Sequence, residues 1–185
     1  MRQIPNRLLV MPRTDANDGS TSICTQPAFA PIRYHWYGDD EHDKVFPAVR
    51  AIIDAIEMPT IDKERLRQEM AARLRALQRG ELVPIRHVVG PMDTVKGLDV
   101  FELRGGVEHG ESDTTQVRVY HVEPSKLQST GGSGSVVVGL HAHHKMIEAG
   151  VDPNDAQDVE LQKARKRYFD GQSDAWGGAS LANRL

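Results

Sequence analysis

Three short stretches hold the residues best suited to chemistry: Glu102-Leu103-Arg104, Arg118-Val119-Tyr120 and His141-Ala142-His143-His144-Lys145. Each lies in a run that alternates as a β-strand does, successive side chains pointing to opposite faces. In the first run Phe101 and Leu103 share one face and Glu102 and Arg104 the other. In the second Val117 and Val119 oppose Arg118 and Tyr120, and in the third Val136, Val138 and Leu140 oppose His141 and His143. The pattern predicts a sheet with one apolar face on a core and one open face that gathers guanidinium and imidazole groups. An unpaired charge buried among valines would be costly, so Arg118 is expected on that open face, beside an anion. Imidazoles titrating near neutral pH suit acid or base work. A cross-strand ion pair of Arg118 with Glu102 is the plainer reading of the same residues. The histidine run also admits a second chemistry, because strand residues i and i+2 can both ligate zinc or another divalent ion.

The elements that would position these groups follow from periodicity. Arg33-Tyr34-His35-Trp36-Tyr37 is short, aromatic and β-prone, a first strand. From Asp43 to about Glu57, Phe46, Val49, Ile52, Ile53 and Ile56 recur at steps of three and four, predicting an amphipathic helix ended by Pro59. A second helix, capped by Asp62 and stopped by Gly80, carries Leu66, Met70, Leu74 and Leu77 on one stripe. The two form a hairpin expected to pack on the sheet. The three strands come next, joined by a polar loop at 105–115 and a flexible Gly/Ser loop at 129–135. A last helix begins at Asp152-Pro153 and ends near Gly171, with acids early and Lys163, Arg165, Lys166 and Arg167 late, to suit its dipole.

Residues 1–33 mix Pro, Asn, Asp, Ser and Thr without a sustained apolar period and read as a loosely ordered extension. A single domain is expected over 34–171, and 172–185 reads as a flexible tail. With 39% hydrophobic and 5% aromatic residues in 185, the core is modest. A net charge of -3 argues against holding duplex DNA by bulk electrostatics, so any contact with nucleic acid would be local. Cys24 is the single cysteine, which excludes an internal disulfide framework and a Cys-rich zinc site and fits a reducing cytoplasm. No stretch reaches the ~20 apolar residues of a membrane span, and the apolar run at the start is too short for a signal peptide. The expectation is a cytoplasmic protein with no membrane partner.

The order strand, helix, helix, three antiparallel strands, helix, with Lys96-Gly97 turning into Glu102-Leu103-Arg104, resembles the RelE/ParE toxin superfamily, and within it the HigB-like, phage-derived group. Arg79-Gly80-Glu81-Leu82, Arg118-Val119-Tyr120, Gly139-Leu140-His141-Ala142 leading into Lys145, and Ala164-Arg165-Lys166-Arg167 carry the likeness over roughly 34–170. The resemblance implies an α+β, RelE-like fold: a helical hairpin packed on a curved antiparallel sheet of about four strands, with a C-terminal helix. It implies the toxin of a type II toxin-antitoxin system, an endoribonuclease needing no metal and no cofactor, cleaving mRNA on the ribosome and neutralised by a HigA-like helix-turn-helix antitoxin.

Attack by a ribose 2′-hydroxyl on the adjacent phosphodiester needs a base, an acid and positive charge around the phosphate. The resemblance assigns phosphate contacts to Arg118 and Lys96. His143 or His141 would be the base, with Lys145 or the other histidine as acid. Arg104, Tyr120, His144, Lys163 and Arg167 would touch RNA. Val100 and Glu102 stand where RelE itself carries paired lysines, and this motivates an alternative: a catalytically inactive binding protein of a phage or mobile element on the same scaffold. An ion pair locking Glu102 to Arg118 would favour that alternative. A gyrase-directed, ParE-like toxin is a further one.

Overall fold

The computed structural model describes residues 17–28, 30–38, 44–95, 97–109, 113–128, 134–145 and 153–177. The strands are β1 (Arg33–Trp36), β2 (Val88–Val89), β3 (Val100–His109), β4 (Asp113–Val122) and β5 (Val136–His144), and the helices are α1 (Val45–Ala55), α2 (Thr60–Arg79) and α3 (Pro153–Gly171). The strands form one sheet in the order β1-β5-β4-β3-β2. This is an α+β fold with a C-terminal helix, but the sheet is mixed rather than antiparallel throughout. β1 runs parallel to β5, because the α1–α2 hairpin carries the chain back before the meander begins, while the other pairings are antiparallel. The added strand, β2, is a two-residue edge that the sequence pattern does not announce. The loop expected at 105–115 is largely strand, since β3 and β4 stay paired out to His109 and Asp113.

The hairpin packs on one face of the sheet. Leu66, Met70, Leu74 and Leu77 of α2 and Val49 and Ile53 of α1 are buried with Phe101, Leu103, Val117, Val119, Val137 and Ala142. The predicted stripe is therefore the core-facing one, with Ile52 and Phe46 only partly buried at its edge. Asp62 does not cap α2. The N-cap is Pro59, with no side-chain bond, and Asp62 sits inside the first turn, buried, where its carboxylate meets the positive end of the dipole. Gly80 closes α2 in the left-handed conformation, φ 69°, donating its N–H to the carbonyls of Ala76 and Leu77. A Cβ there would lie 1.8 Å from the carbonyl oxygen of Gln26.

The other face is not open. α3 lies across it, burying Leu161 and Ala164 against Val100, Tyr120, Val122, Val136, Val138 and Leu140, with Trp176 and Ala175 closing the end. The 172–177 part of the expected flexible tail is an ordered turn that kinks at Ala175 and Trp176, where the backbone is left-handed, and Trp176 is 1% exposed, its indole N–H donating to the Tyr168 carbonyl at 2.9 Å. The described part of the N-terminal extension is likewise anchored. Cys24 is fully buried, and the amides of Ala28 and Ile32 donate to the last carbonyls of α2 at Arg79 and Gln78. Among the described residues, no helix is long and apolar enough to cross a membrane.

Candidate functional site

Cross-strand register builds the site. Arg104, Arg118 and His143 stand side by side on β3, β4 and β5, and Glu102, Tyr120 and His141 form the adjacent row. A bulge completes the second row. Tyr120 pairs with His141 but His121 pairs with Gly139, leaving Leu140 as the extra residue. The bulge shifts the phase of β5, so His141 and His143 share a face with Val136, Val138 and Leu140 instead of opposing them. Strict alternation, the basis of the expected apolar-against-polar division, fails at that one residue.

α3 supplies the opposing wall. Gln157, Glu160, Ala164 and Arg167 follow one another at steps of three, four and three, one face of a helix. Glu102, fully buried, is the hub. Its Oε1 accepts from Arg104 Nε at 2.5 Å, and its Oε2 accepts from Arg118 Nη1 at 3.1 Å and from Gln157 Nε2 at 3.0 Å. Arg118 Nη1 also donates to Gln157 Oε1 at 2.5 Å. Arg118 is 4% exposed, so its charge is balanced inside the protein by Glu102, not outside by solvent or ligand. The plainer reading, a cross-strand ion pair, is the one the structure holds, but buried.

His141 and His143 serve as hydrogen-bonding groups in this layer. His141 receives the Arg167 Nη1 hydrogen at Nδ1, 3.1 Å, which leaves its proton on Nε2 to donate to Glu160 Oε2 at 2.5 Å. Arg167 also donates to the Leu140 carbonyl at 2.8 Å, so the guanidinium is clamped across the bulge. Burial lowers the His141 pKa against the opposing pull of Glu160. His143 bonds through Nδ1 to the His144 carbonyl at 3.1 Å, so Nδ1 carries the proton and Nε2, 3.3 Å from the Tyr120 hydroxyl, is the acceptor. Desolvation is the main reason its pKa falls to about 4. Tyr120, fully buried, has its hydroxyl pKa raised by burial and by the Glu102 charge. The His141 and His143 rings stack nearly parallel, 6.0 Å apart, and His143 stacks on Tyr120 at 5.4 Å.

The sequence-predicted residues thus divide. Arg104, Arg118, Tyr120, His141 and His143 come together, and Arg167 joins them from α3; Lys163 reaches the edge by pairing with Glu160 at 2.7 Å. His144 does not join: it pairs with Val117, whose side chain faces the hairpin. Lys145 lies one step beyond β5, and its amide donates to the Gln116 carbonyl. Lys96 lies outside the described residues. Zinc held by the histidine run has no geometric support, because both His141 nitrogens are taken by Glu160 and Arg167 and His144 is on the other face. Sequence reasoning missed Gln157 and Glu160. Their helical spacing with Arg167 was the available signal, but it acquires meaning only once α3 is known to lie on the β5 face.

Beyond this layer, a concavity of about 880 Å³ opens between α3 and the end of β1, lined by His35, Tyr37, Lys163, Lys166, Arg167 and Trp176 among others. The Glu102–Arg118 centre, in contrast, is filled by its own ion pair and by Gln157. Fold and site together define an α+β domain in which a polar layer joins a mixed sheet to its C-terminal helix. In comparisons with known proteins, no family model, no curated protein and no solved structure matches the chain.

Proposed function

We propose that this chain is a non-cleaving binding protein on a RelE-like scaffold, the HigB-like resemblance extending to its architecture rather than to its chemistry. The observation that carries this reading is the lock on Glu102. Its carboxylate occupies the place a scissile phosphate would need beside Arg118, and Arg104, Arg118 and Gln157 are all committed to it. An acid or base must also reach the reacting proton, and His143 is instead held between its own strand and Tyr120.

The binding surface in this reading is the concavity beside α3, lined by the Tyr37 ring and by exposed Lys163 and Lys166, which would exchange their surface partners Glu160 and Asp170 for phosphates. The partner is anionic, with single-stranded or ribosomal RNA the favoured class, since phosphates meet the cations and a base can stack on an aromatic ring. Fluorescence polarisation with a labelled single-stranded RNA tests it. Binding should weaken by at least about tenfold in Lys163→Glu/Lys166→Glu and fall with salt in proportion to the phosphates neutralised, and the RNA should stay intact on a denaturing gel. Equal affinity in wild type and double variant would contradict this surface.

A second reading keeps the toxin: a ribosome-dependent endoribonuclease with an antitoxin partner. The convergence of Arg118, Tyr120, His141 and His143 in one network favours it, since it brings the phosphate contact implied by the resemblance beside the acid–base candidates. That reading requires α3 to leave the sheet, exposing Leu161, Ala164 and the layer beneath.

A further inference from the structure

On the opposite face of the sheet from the polar layer, Cys24, His121 and Glu123 bring a sulfur, an imidazole nitrogen and a carboxylate oxygen within 4.8 Å of one another, all in buried residues. Cys24 and His121 are fully inaccessible and Glu123 is 8% exposed. Cys24 lies in the 3-10 turn Ile23–Thr25 of the N-terminal segment, and His121 and Glu123 lie at the end of β4, so the trio joins chain regions about a hundred residues apart. We propose that these three side chains form a zinc site that staples the N-terminal segment to the sheet.

The distances suit a cation. With Zn–S about 2.3 Å, Zn–N about 2.05 Å and Zn–O about 2.0 Å, tetrahedral angles put sulfur and oxygen about 3.5 Å apart and nitrogen and oxygen about 3.3 Å apart. Cys24 Sγ lies 3.4 Å from Glu123 Oε1, and His121 Nε2 lies 3.3 Å from the same oxygen. In the metal-free protein these contacts are hydrogen bonds from the thiol and the imidazole to one carboxylate oxygen, and an ion would enter by displacing the two protons with little movement of the side chains.

The surroundings fix the carboxylate and the imidazole plane, while His121 Nδ1 is buried without a hydrogen-bond partner. Ser22 Oγ donates to Glu123 Oε1 at 2.5 Å and the Ile23 amide donates to Oε2 at 2.8 Å, fixing the carboxylate. Phe101 stacks on the His121 ring at 5.8 Å and holds its plane. The Tyr34 hydroxyl is buried without a hydrogen-bond partner, and a water would supply the fourth position. Burial, with Glu123 beside it, holds the Cys24 thiol protonated in the absence of metal. On binding, the S–H bond breaks, the sulfur pair goes to the ion and the proton is released to solvent.

The experiment uses the full chain stripped with chelator, then titrated with Zn²⁺ against a chromophoric competitor and separately with Co²⁺. One equivalent should bind, the cobalt form should show a thiolate charge-transfer band in the near ultraviolet, and the thermal midpoint should rise by about 5–10 °C at free zinc about 100 times Kd. Cys24→Ser should lose the band and weaken zinc by more than about 100-fold, beyond the 10–100-fold of an outer-shell loss. Glu123→Gln should weaken it as well. Folded wild type that takes up Co²⁺ without a thiolate band, or takes up no metal, overturns the proposal whether or not the variants fold. Surface histidines binding zinc equally in wild type and Cys24→Ser would also overturn it.

Discussion

At the scale of single residues, the position of Arg118 separates the two functional readings by energy. An arginine on an open face waiting for phosphate loses little stability when truncated, and relief of repulsion from Arg104 could even add some. An arginine 4% exposed and paired to a fully buried Glu102 leaves that carboxylate to Arg104 and Gln157 alone when removed. Arg118→Ala should therefore cost about 1.5–3 kcal/mol in urea denaturation, the range for losing a hydrogen bond to a charged group. His143 gives a second test through pH. Its folded pKa of about 4 lies below the unfolded histidine value of about 6.5, so the unfolded chain binds the extra proton as pH falls through that window. Stability should decline as pH drops from about 6.5 to about 4, and His143→Gln should flatten that decline. An unchanged slope in a folded His143→Gln would place the titration elsewhere. The residue types at this site were legible from alternation alone, and so was their convergence on β3 and β4. The facing of Val136, Val138 and Leu140 was not, because one inserted residue, Leu140, puts them on the same face as His141 and His143, and no local feature of Gly139-Leu140-His141 marks a bulge.

Among the elements, the helical hairpin was the most legible part. The Leu66, Met70, Leu74 and Leu77 stripe, the Gly80 stop and the Pro153 start are local signals, read off sequence spacing, and the structure uses all of them. Gly80→Ala should destabilise by more than about 1 kcal/mol, the lower figure for a side chain in the left-handed region, because the new methyl also meets the Gln26 carbonyl at 1.8 Å. What sequence spacing could not supply was the place of α3. Among its described residues the apolar content is slight, Leu161 and Ala164 being fully buried and Tyr168 partly so, and Gln157, Glu160 and Arg167 add polar inward side chains. A helix with so weak an apolar stripe reads as solvated, and its burial depends on polar partners contributed by three strands. Leu161→Ala should cost about 2–5 kcal/mol and should raise amide exchange in α3 before it does so in α2. Equal exchange in both helices would mean that α3 opens only with the whole domain.

For the whole molecule, both faces of the sheet are covered, by the hairpin on one side and by α3 with Trp176 on the other. The single-core picture with one reactive face gives way to a sheet between two layers, in which the polar layer serves as the joint to the second. The N-terminal segment, read from composition as lacking a core of its own, gains its order from contacts about a hundred residues away at Glu123, and such long-range partners are invisible to any local pattern. In the proposed binding protein this joint leaves no place for a scissile phosphate. Induced expression in a bacterial host with mapping of mRNA 5′ ends tests this, comparing wild type with His143→Gln after both are shown to be folded. No new cuts are expected in either. New cuts in wild type that vanish in folded His143→Gln would contradict this reading and establish the ribonuclease.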